Sequence, residues 1–159
     1  FGLEFANKYI GTRSRTHDQI VQALRSGKQN IVEGSMASGT SKKTELTLLG
    51  VARASLEEAL QDAEDYIRQH HLQVWSKTDP RSQEIRSLAY RSEKSYMTYM
   101  TYLETPESAA NCLLCIINQT NYLLDRQIQA VEKEFLELGG LSERLYKARQ
   151  SVRLGPHQP

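Results

Sequence analysis

The stretch TPESAANCLLCIINQTNYLLDRQIQAVEKEFLEL, residues 105–138, carries the most regular pattern in the chain. Apolar residues recur along it at alternating steps of four and three positions, and one position of this series holds an asparagine. These positions, called the seam below, are Ala110, Leu114, Ile117, Asn121, Leu124, Ile128, Val131, Phe135 and Leu138. The spacing predicts one long helix, because it places an apolar stripe along one side. A buried asparagine such as Asn121 can fix register or oligomeric state in a stripe of this kind.

A second apolar stripe runs beside the seam, and it consists of Leu113, Ile116, Thr120 and Leu123. A helix with two apolar stripes needs two sets of partners, so this helix is expected to contribute both to a core and to a subunit contact. Thr105 and Pro106 supply a start signal for the helix, and the glycine pair 139–140 supplies a stop signal.

The rest of the chain is also predicted to be helical. Apolar residues follow helical spacing at 1–10, which looks like the remnant of a first helix, and at 17–36, 41–71 and 81–103. Asp79 and Pro80 give a further start signal. We therefore expect an all-α protein with one domain over 1–138. A basic suffix follows at 139–159, with a short helix over 141–152 and a disordered tail.

Tyrosines repeat every third residue in SYMTYMTYLE, residues 95–104. Tyr96, Tyr99 and Tyr102, with Met97 and Met100, would make a helix apolar over a wide arc, which predicts a buried or interfacial position. The composition also suits a strand, but strict alternation is absent. The aromatic rings could stack on nucleobases, although packing in the core is the commoner role.

Composition indicates a globular protein of one domain. The chain has 159 residues, of which 39% are hydrophobic and 25% charged. No apolar run approaches the roughly 18 residues that span a bilayer, and no signal peptide is apparent. Because the sequence begins with Phe1, we expect the native N-terminus to lie upstream. The two cysteines make no disulfide framework, so a cytoplasmic location is expected.

Charge is unevenly distributed although the net charge is only +1. Residues 1–43 carry seven Lys or Arg against three Asp or Glu, and residues 44–72 carry two against six. Charge matching within or between subunits explains this asymmetry, and so does a basic surface for a nucleic-acid backbone. The candidate contacts for nucleic acid are Arg13, Arg15, Arg25, Lys28, Lys42 and Lys43.

The stretch GSMASGTSKK, residues 34–43, imitates a phosphate-binding loop. A lysine must directly follow the second glycine of such a loop, whereas Thr40 and Ser41 follow Gly39 here. The loop must also follow a strand, and the preceding segment has helical spacing. We expect instead a connector between two helices, in which Gly34 and Gly39 permit positive φ and Ser41 caps the next helix.

No enzymatic or metal site can be placed by spacing. Cys112 and Cys115 have C-x-x-C spacing without the second pair that a structural zinc needs, so two buried thiols are expected. Some helical-bundle ribonucleases pair an arginine with a nearby histidine, but Arg13–His17 and Arg153–His157 lie in a connector and in the tail. We expect no enzymatic activity, no cofactor and no bound metal.

The segments QIVQALRSGKQNIVEGS and SKKTELTLLGVARASLEEAL resemble the bacterial four-helix-bundle family found in intervening sequences of large-subunit ribosomal RNA genes. The residues that carry the resemblance are Gln19, Ser26, Asn30, Ile31, Glu33, Gly34, Ser41, Lys42, Lys43, Ala52, Ser55 and Leu56. The resemblance covers roughly residues 1–70, and the last long helix looks like a subgroup with a C-terminal suffix.

The resemblance implies an up-and-down four-helix bundle, here with an extra helix and a suffix, that is often a ring of five subunits without an enzymatic site. Relatives include retroelement accessory variability proteins, which bind reverse transcriptase and nucleic acid. The expected function is therefore a non-enzymatic, oligomeric protein that binds RNA or DNA through its basic segment. The alternative is a protein-interaction scaffold, for example an accessory subunit of a reverse transcriptase. Asn30 and Glu33 are expected to satisfy backbone groups near the connector, with nucleic-acid contact as the alternative.

Overall fold

The computed structural model describes residues 1–93, 95 and 97–153, and every regular element in these ranges is helical. The elements are α1 (Gly2–Tyr9), α2 (Arg15–Ala37), α3 (Lys42–Gln69), α4 (Pro80–Leu88), α5 (Met97–Met100), a 3-10 turn (Thr101–Leu103), α6 (Pro106–Leu138) and α7 (Leu141–Arg153). The all-α class expected from the sequence is confirmed for the described residues. The C-terminal tail predicted to be disordered lies outside them.

Side-chain caps start four of these helices. The hydroxyl groups of Ser14, Ser41 and Thr105 accept hydrogen bonds from backbone N–H groups three residues later, at 3.1–3.2 Å. The Asp79 carboxylate accepts the Arg81 N–H at 2.9 Å, with Pro80 in the first turn. Each cap satisfies one of the N–H groups that a helix start leaves without a partner.

Helices α2 and α3 form an antiparallel hairpin. The Ser26 and Ser55 hydroxyl oxygens lie 2.9 Å apart, and a Cβ on Gly27 would lie only 2.8 Å from the Leu56 side chain. The absence of a Cβ at Gly27 therefore lets the two helices approach closely.

The connector between α2 and α3 differs from the prediction. Gly34 is not in a turn, because α2 continues through it to Ala37 and buries it against Leu48 and Leu49. Packing of this face on α3 outweighs the low helix propensity of glycine. Gly39 does lie in the turn, but the positive-φ glycine of the described residues is Gly139, at the end of α6.

Helix α6 runs antiparallel to α3, and the seam faces the core. Most seam residues up to Val131 are buried and Ile128 is partly buried, whereas Leu138 is 50% exposed. The second stripe changes along its length, from Leu113, which is buried beside α1, to Leu123, which is 60% exposed. The two apolar stripes are thus both covered only in the N-terminal half of α6.

Helix α1 closes one end of the core. Phe5 is fully buried and its ring packs edge-on against Tyr66, with 5.1 Å between the centroids. Lys8 Nζ and Tyr9 Oη both donate to the carbonyl oxygen of Leu103, at 2.7 and 2.6 Å. These contacts tie α1 to α3 and to the 3-10 turn before α6.

The single helix predicted over 81–103 is wrong. Helix α4 ends at Leu88, and α5 with the 3-10 turn forms a separate short segment. Ile85 and Leu88 are buried, but Tyr90 is 82% exposed, so no apolar anchor continues the helix. The predicted apolar arc does not form either, because Met97 is 67% exposed while Tyr99 and Tyr102 are half-buried. Tyr96 lies outside the described residues.

Candidate nucleic-acid interface

Five of the six predicted contact residues are exposed and carry unpaired charge. Within the described ranges, no carboxylate lies within the 4.0 Å ion-pair distance of Arg13, Arg15, Arg25, Lys28 or Lys43. Arg13 lies in the connector before α2, and Lys43 lies in the first turn of α3. Unpaired, solvated cations keep their full charge available to an anionic partner.

The outward surface of α2 with Arg25 and Lys28 is called the basic face below. Arg25 lies two residues from both Ala23 and Gly27, which are buried, so it points away from the core. Lys28 is one helical turn further along the same side. Arg15 precedes Lys28 by 13 positions, which is about 20 Å of helix, and it lies about 140° around the helix from Lys28, so it flanks this face.

The centre of the basic face is slightly concave. A shallow depression of about 650 Å³ is lined by Arg25, Lys28 and the polar side chains of Gln22 and Gln29. Asp18 is also part of its lining, and Glu33 lies on the next turn, where it accepts a hydrogen bond from Gln29 at 2.9 Å. The face is therefore basic with two interspersed carboxylates.

Lys42, the sixth predicted contact, is engaged inside the molecule. Its Nζ lies 3.1 Å from Glu45 Oε2 and 3.0 Å from Glu134 Oε2, so it joins α3 to the C-terminal part of α6. Hydrogen bonds to Glu134 and then to Glu45 raise the pKa of Lys42 above its ordinary value. Glu45 is only 3% exposed. Lys42 thus neutralises a buried carboxylate, whereas the adjacent Lys43 is open to solvent.

Asn30 takes a structural position within the hairpin. Its Nδ2 donates to the Ser26 carbonyl oxygen at 2.9 Å and approaches the Ser26 hydroxyl at 3.3 Å. Ser26 in turn contacts Ser55 of α3. Asn30 therefore supports the contact between α2 and α3, and it does not reach the backbone groups of the connector as expected.

An acidic edge borders the basic face. Glu58, Asp62 and Asp65 line a groove of about 450 Å³ between α2 and α3. Burial, together with the negative charges of Asp65 and Glu58, raises the pKa of Asp62. Asp65 is paired with Arg68 at 2.7 Å. This edge repels phosphate, so a nucleic acid on the basic face would have to run along the other side of α2.

Asn121 lies in a cluster of polar residues between α3 and α6. Arg53 bridges Glu57 and Asp125 at 2.6 and 3.0 Å, and Asn121 Nδ2 donates to Glu57 Oε2 at 3.4 Å. Asn121 is 4% exposed, and its Oδ1 has no hydrogen-bond partner within the described residues. The seam asparagine is thus only half satisfied.

The two cysteines are free thiols. Cys112 is buried and Cys115 half-buried, and burial is the main reason that the pKa of each thiol is raised. For Cys115, a hydrogen bond to Ser82 opposes this effect. Raised pKa values keep both thiols protonated at neutral pH and disfavour nucleophilic chemistry. Among the described residues, no three His, Cys, Asp or Glu side chains are grouped to hold a metal.

The surroundings of Trp75 were not predicted from the sequence. Asn111, 2% exposed, accepts a hydrogen bond from the backbone N–H of Trp75 through Oδ1 at 2.8 Å and donates to the Gln73 carbonyl oxygen at 2.8 Å. The Arg81 guanidinium lies 4.0 Å from the Trp75 ring centroid. The lone tryptophan in a polar connector was the available signal, since a large amphipathic ring in such a segment needs a partner.

Comparisons with known proteins do not identify a family: no protein-family model matches the chain, and neither a curated protein nor a solved structure matches it significantly. The geometry of the site therefore carries the functional argument, and the resemblance in residues 1–70 stays a prediction. Within the described residues, none of the helices combines the length and the apolar character that a membrane span needs.

Proposed function

We propose that this protein is a non-enzymatic, oligomeric helical bundle that binds RNA or DNA through the phosphate backbone. The observation that carries the proposal is the set of unpaired, exposed cations, with Arg25 and Lys28 on the basic face, Arg13 and Arg15 at the start of α2, and Lys43 in the first turn of α3. Arginine and lysine recognise phosphate oxygens by charge and by N–H donation, without reading sequence. Lys42 is left out of the contact set because two carboxylates already engage it.

Salt dependence tests this proposal. Neutralising a phosphate releases counterions, so each contact contributes about 0.7–0.9 to the slope of log affinity against log salt. The measurement is fluorescence anisotropy with labelled single- and double-stranded oligonucleotides between low and moderate salt. Affinity that falls steeply with salt supports backbone binding. Affinity independent of salt, or absence of binding at low salt, contradicts it.

The proposed architecture is an up-and-down bundle of α1, α2, α3 and α6. Two observations support it: contacts pair α2 with α3, α3 with α6, and α1 with both α2 and α6, and adjacent helices run in opposite directions. In this arrangement α4 is the extra helix beside α6, and α7 is the suffix.

The oligomeric part of the proposal rests on uncovered apolar surface. The C-terminal half of α6 and α7 carry large apolar side chains that are at least half exposed, namely Leu123, Leu136, Leu138, Leu145, Tyr146 and Val152. Soluble monomers rarely expose an apolar patch above a few hundred Å² (about 300–600). Contacts between unlike faces would cover this surface in a closed ring, and the family resemblance implies five subunits.

Light scattering at micromolar concentration tests the oligomer. A mass near five times 18.1 kDa supports the ring, and a mass of 18.1 kDa at every concentration refutes it.

The alternative function is a protein-interaction scaffold, for example an accessory subunit of a reverse transcriptase. The same exposed apolar residues favour it, since an amphipathic helix such as α7 can bind a groove on a partner. A pull-down from nuclease-treated lysate distinguishes the two proposals when combined with the oligonucleotide titration. One specific protein recovered without any oligonucleotide binding favours the scaffold.

A further inference from the structure

A second polar surface lies apart from the basic face. A groove of about 820 Å³ runs between α3, α4, α6 and the connector that carries Trp75, and it is called the Trp75 groove below. It shares no lining residue with the depression beside Arg25 and Lys28. Leu60 and Leu114 are buried residues of its lining, while the rings of Tyr90 and Tyr122 are 82% and 58% exposed. Aromatic rings on an open groove are suited to stacking.

Two amide oxygens in the Trp75 groove have no protein donor among the described residues. Asn118 Nδ2 donates to the Leu114 carbonyl oxygen at 2.9 Å, and Gln119 Nε2 donates to the Arg86 carbonyl oxygen at 3.0 Å. Rotating either amide by half a turn would set oxygen against oxygen, so both orientations are fixed by their partners. The amide oxygens of Asn118 and Gln119 receive no donor from the described residues.

Asn121 lines the end of the groove near Arg53. Its amide nitrogen faces Glu57, so its oxygen is left without a donor, but that oxygen is buried by the surrounding protein. Arg53 is engaged by Glu57 and Asp125. A ligand that donates hydrogen bonds would therefore meet the amide oxygens of Asn118 and Gln119 and not that of Asn121.

The other end of the Trp75 groove is cationic. Lys77 and Arg86 line it, and no carboxylate within the described residues lies within 4.0 Å of either side chain. The Arg86 guanidinium donates to the Lys77 carbonyl oxygen, so the charge of Arg86 lies against the Lys77 backbone. Two cationic residues in the same groove lining are suited to contact one phosphate group.

We propose that the Trp75 groove binds one unpaired nucleotide whose base is cytosine or adenine, which carry an exocyclic amino group at C4 and C6, respectively. The base stacks on Tyr122, and its amino group donates to Asn118, which lies one helical turn away on the same side of α6. The phosphate contacts Lys77 and Arg86. Uracil presents a carbonyl oxygen where cytosine presents its amino group. The Asn118 amide oxygen would then face a second acceptor, and no hydrogen bond would form.

This inference rests on the proposed nucleic-acid function, and it adds a base preference to backbone binding. The probes are single-stranded ten-residue oligoribonucleotides of cytidine and of uridine, which carry equal charge. Trp75 is the single tryptophan of the chain and lines the groove, so its fluorescence reports occupation of this site and not of the basic face. Anisotropy of the labelled oligonucleotide reports total binding.

We expect oligocytidine to bind about fivefold or more tightly than oligouridine and to change Trp75 fluorescence. Equal affinities with unchanged Trp75 fluorescence overturn the inference but leave salt-dependent backbone binding intact. No binding of either oligonucleotide at low salt overturns both the inference and the proposed function.

Variants of Tyr122 locate the base. Tyr122→Ala is expected to lower affinity for oligocytidine about tenfold and to remove the preference over oligouridine, whereas Tyr122→Phe keeps the stacking ring and the preference. Met36→Ala is the control, since this residue is 77% exposed at the end of α2 and lies outside the groove. An equal loss in the Tyr122→Ala and Met36→Ala variants contradicts the assignment.

Discussion

The outer face of α2 and the contact between α3 and α6 use the same cationic residue types in opposite ways. Between α3 and α6, Lys42 and Arg53 each lie between two carboxylates. On α2, Arg25 and Lys28 have no carboxylate within 4.0 Å among the described residues. The role of a cation is therefore set by the residues that the neighbouring helix places opposite it. Four predictions test this division between engaged and open residues.

The adjacent lysines of α3 give the largest expected contrast. Lys42→Met leaves Glu45, which is 3% exposed, without its cation, so it is expected to lower the free energy of unfolding by about 3 kcal/mol. Lys43→Met removes an exposed charge and should change it by less than about 0.5 kcal/mol. Urea unfolding followed by circular dichroism measures both. Equal losses would show that the contacts of Lys42 do not distinguish it from Lys43.

The pH dependence of the same contact has a definite sign. Hydrogen bonds to Glu134 and Glu45 raise the pKa of Lys42 above its ordinary 10.5, so the ammonium form stabilises the folded state below that value. The stabilisation is lost as pH rises through the raised pKa. The difference in unfolding free energy between the wild type and Lys42→Met should therefore shrink in strongly alkaline buffer.

Two buried asparagines on α6 extend the comparison to uncharged groups. Asn111→Ala leaves the backbone N–H of Trp75 and the carbonyl oxygen of Gln73 without their partner. It should lower the free energy of unfolding by about 2–3 kcal/mol. Asn121→Leu removes an amide whose oxygen already lacks a partner and restores an apolar seam. It should be neutral or stabilising, by up to about 1 kcal/mol. Thermal unfolding of both variants checks the ranking, and a larger loss for Asn121→Leu would reverse it.

Two helical glycines extend the comparison to helix packing, since Gly27 lies against a neighbouring helix and Gly50 has no neighbour within 4 Å of a Cβ. Gly27→Ala places a Cβ 2.8 Å from the Leu56 side chain and should destabilise the protein by about 1–2 kcal/mol. Gly50→Ala meets nothing within 4 Å and should stabilise α3 by about 0.5–1 kcal/mol. Chemical unfolding of the two variants measures the difference. Loss of stability in Gly50→Ala would mean that another surface covers this part of α3, as in an oligomer.

The local part of the fold was predictable from the sequence, because it depends on residues close in the chain. The apolar spacing of α6 and the caps at Ser41, Asp79 and Thr105 act within one or two helical turns. The break after Leu88 was missed, since helical spacing at Ile85 and Leu88 shows nothing of the exposed residues that follow.

The candidate site was predictable only as a list of cations. Arg25 and Lys28 could be assigned to an outward face from their spacing relative to Ala23 and Gly27. The ion pair between Lys42 and Glu134 could not be predicted from the sequence. Glu134 lies 92 positions away along the chain and meets Lys42 only after α6 packs on α3. The Trp75 groove was missed for the same reason, since three helices and a connector meet there.

The central claim is that unpaired cations on the basic face bind nucleic-acid phosphates, and the salt slope of a charge-matched pair of variants tests it most directly. Arg25→Ala with Lys28→Ala removes two unpaired charges. Arg68→Ala with Lys133→Ala removes two exposed charges that pair with Asp65 and Glu137 at 2.7 and 3.9 Å.

Anisotropy titrations of one labelled oligonucleotide over a range of salt concentrations give the slope for each double variant. The account predicts that Arg25→Ala with Lys28→Ala lowers the slope by about 1.4–1.8, while Arg68→Ala with Lys133→Ala leaves it unchanged. Equal slopes for both double variants and the wild type would contradict the claim.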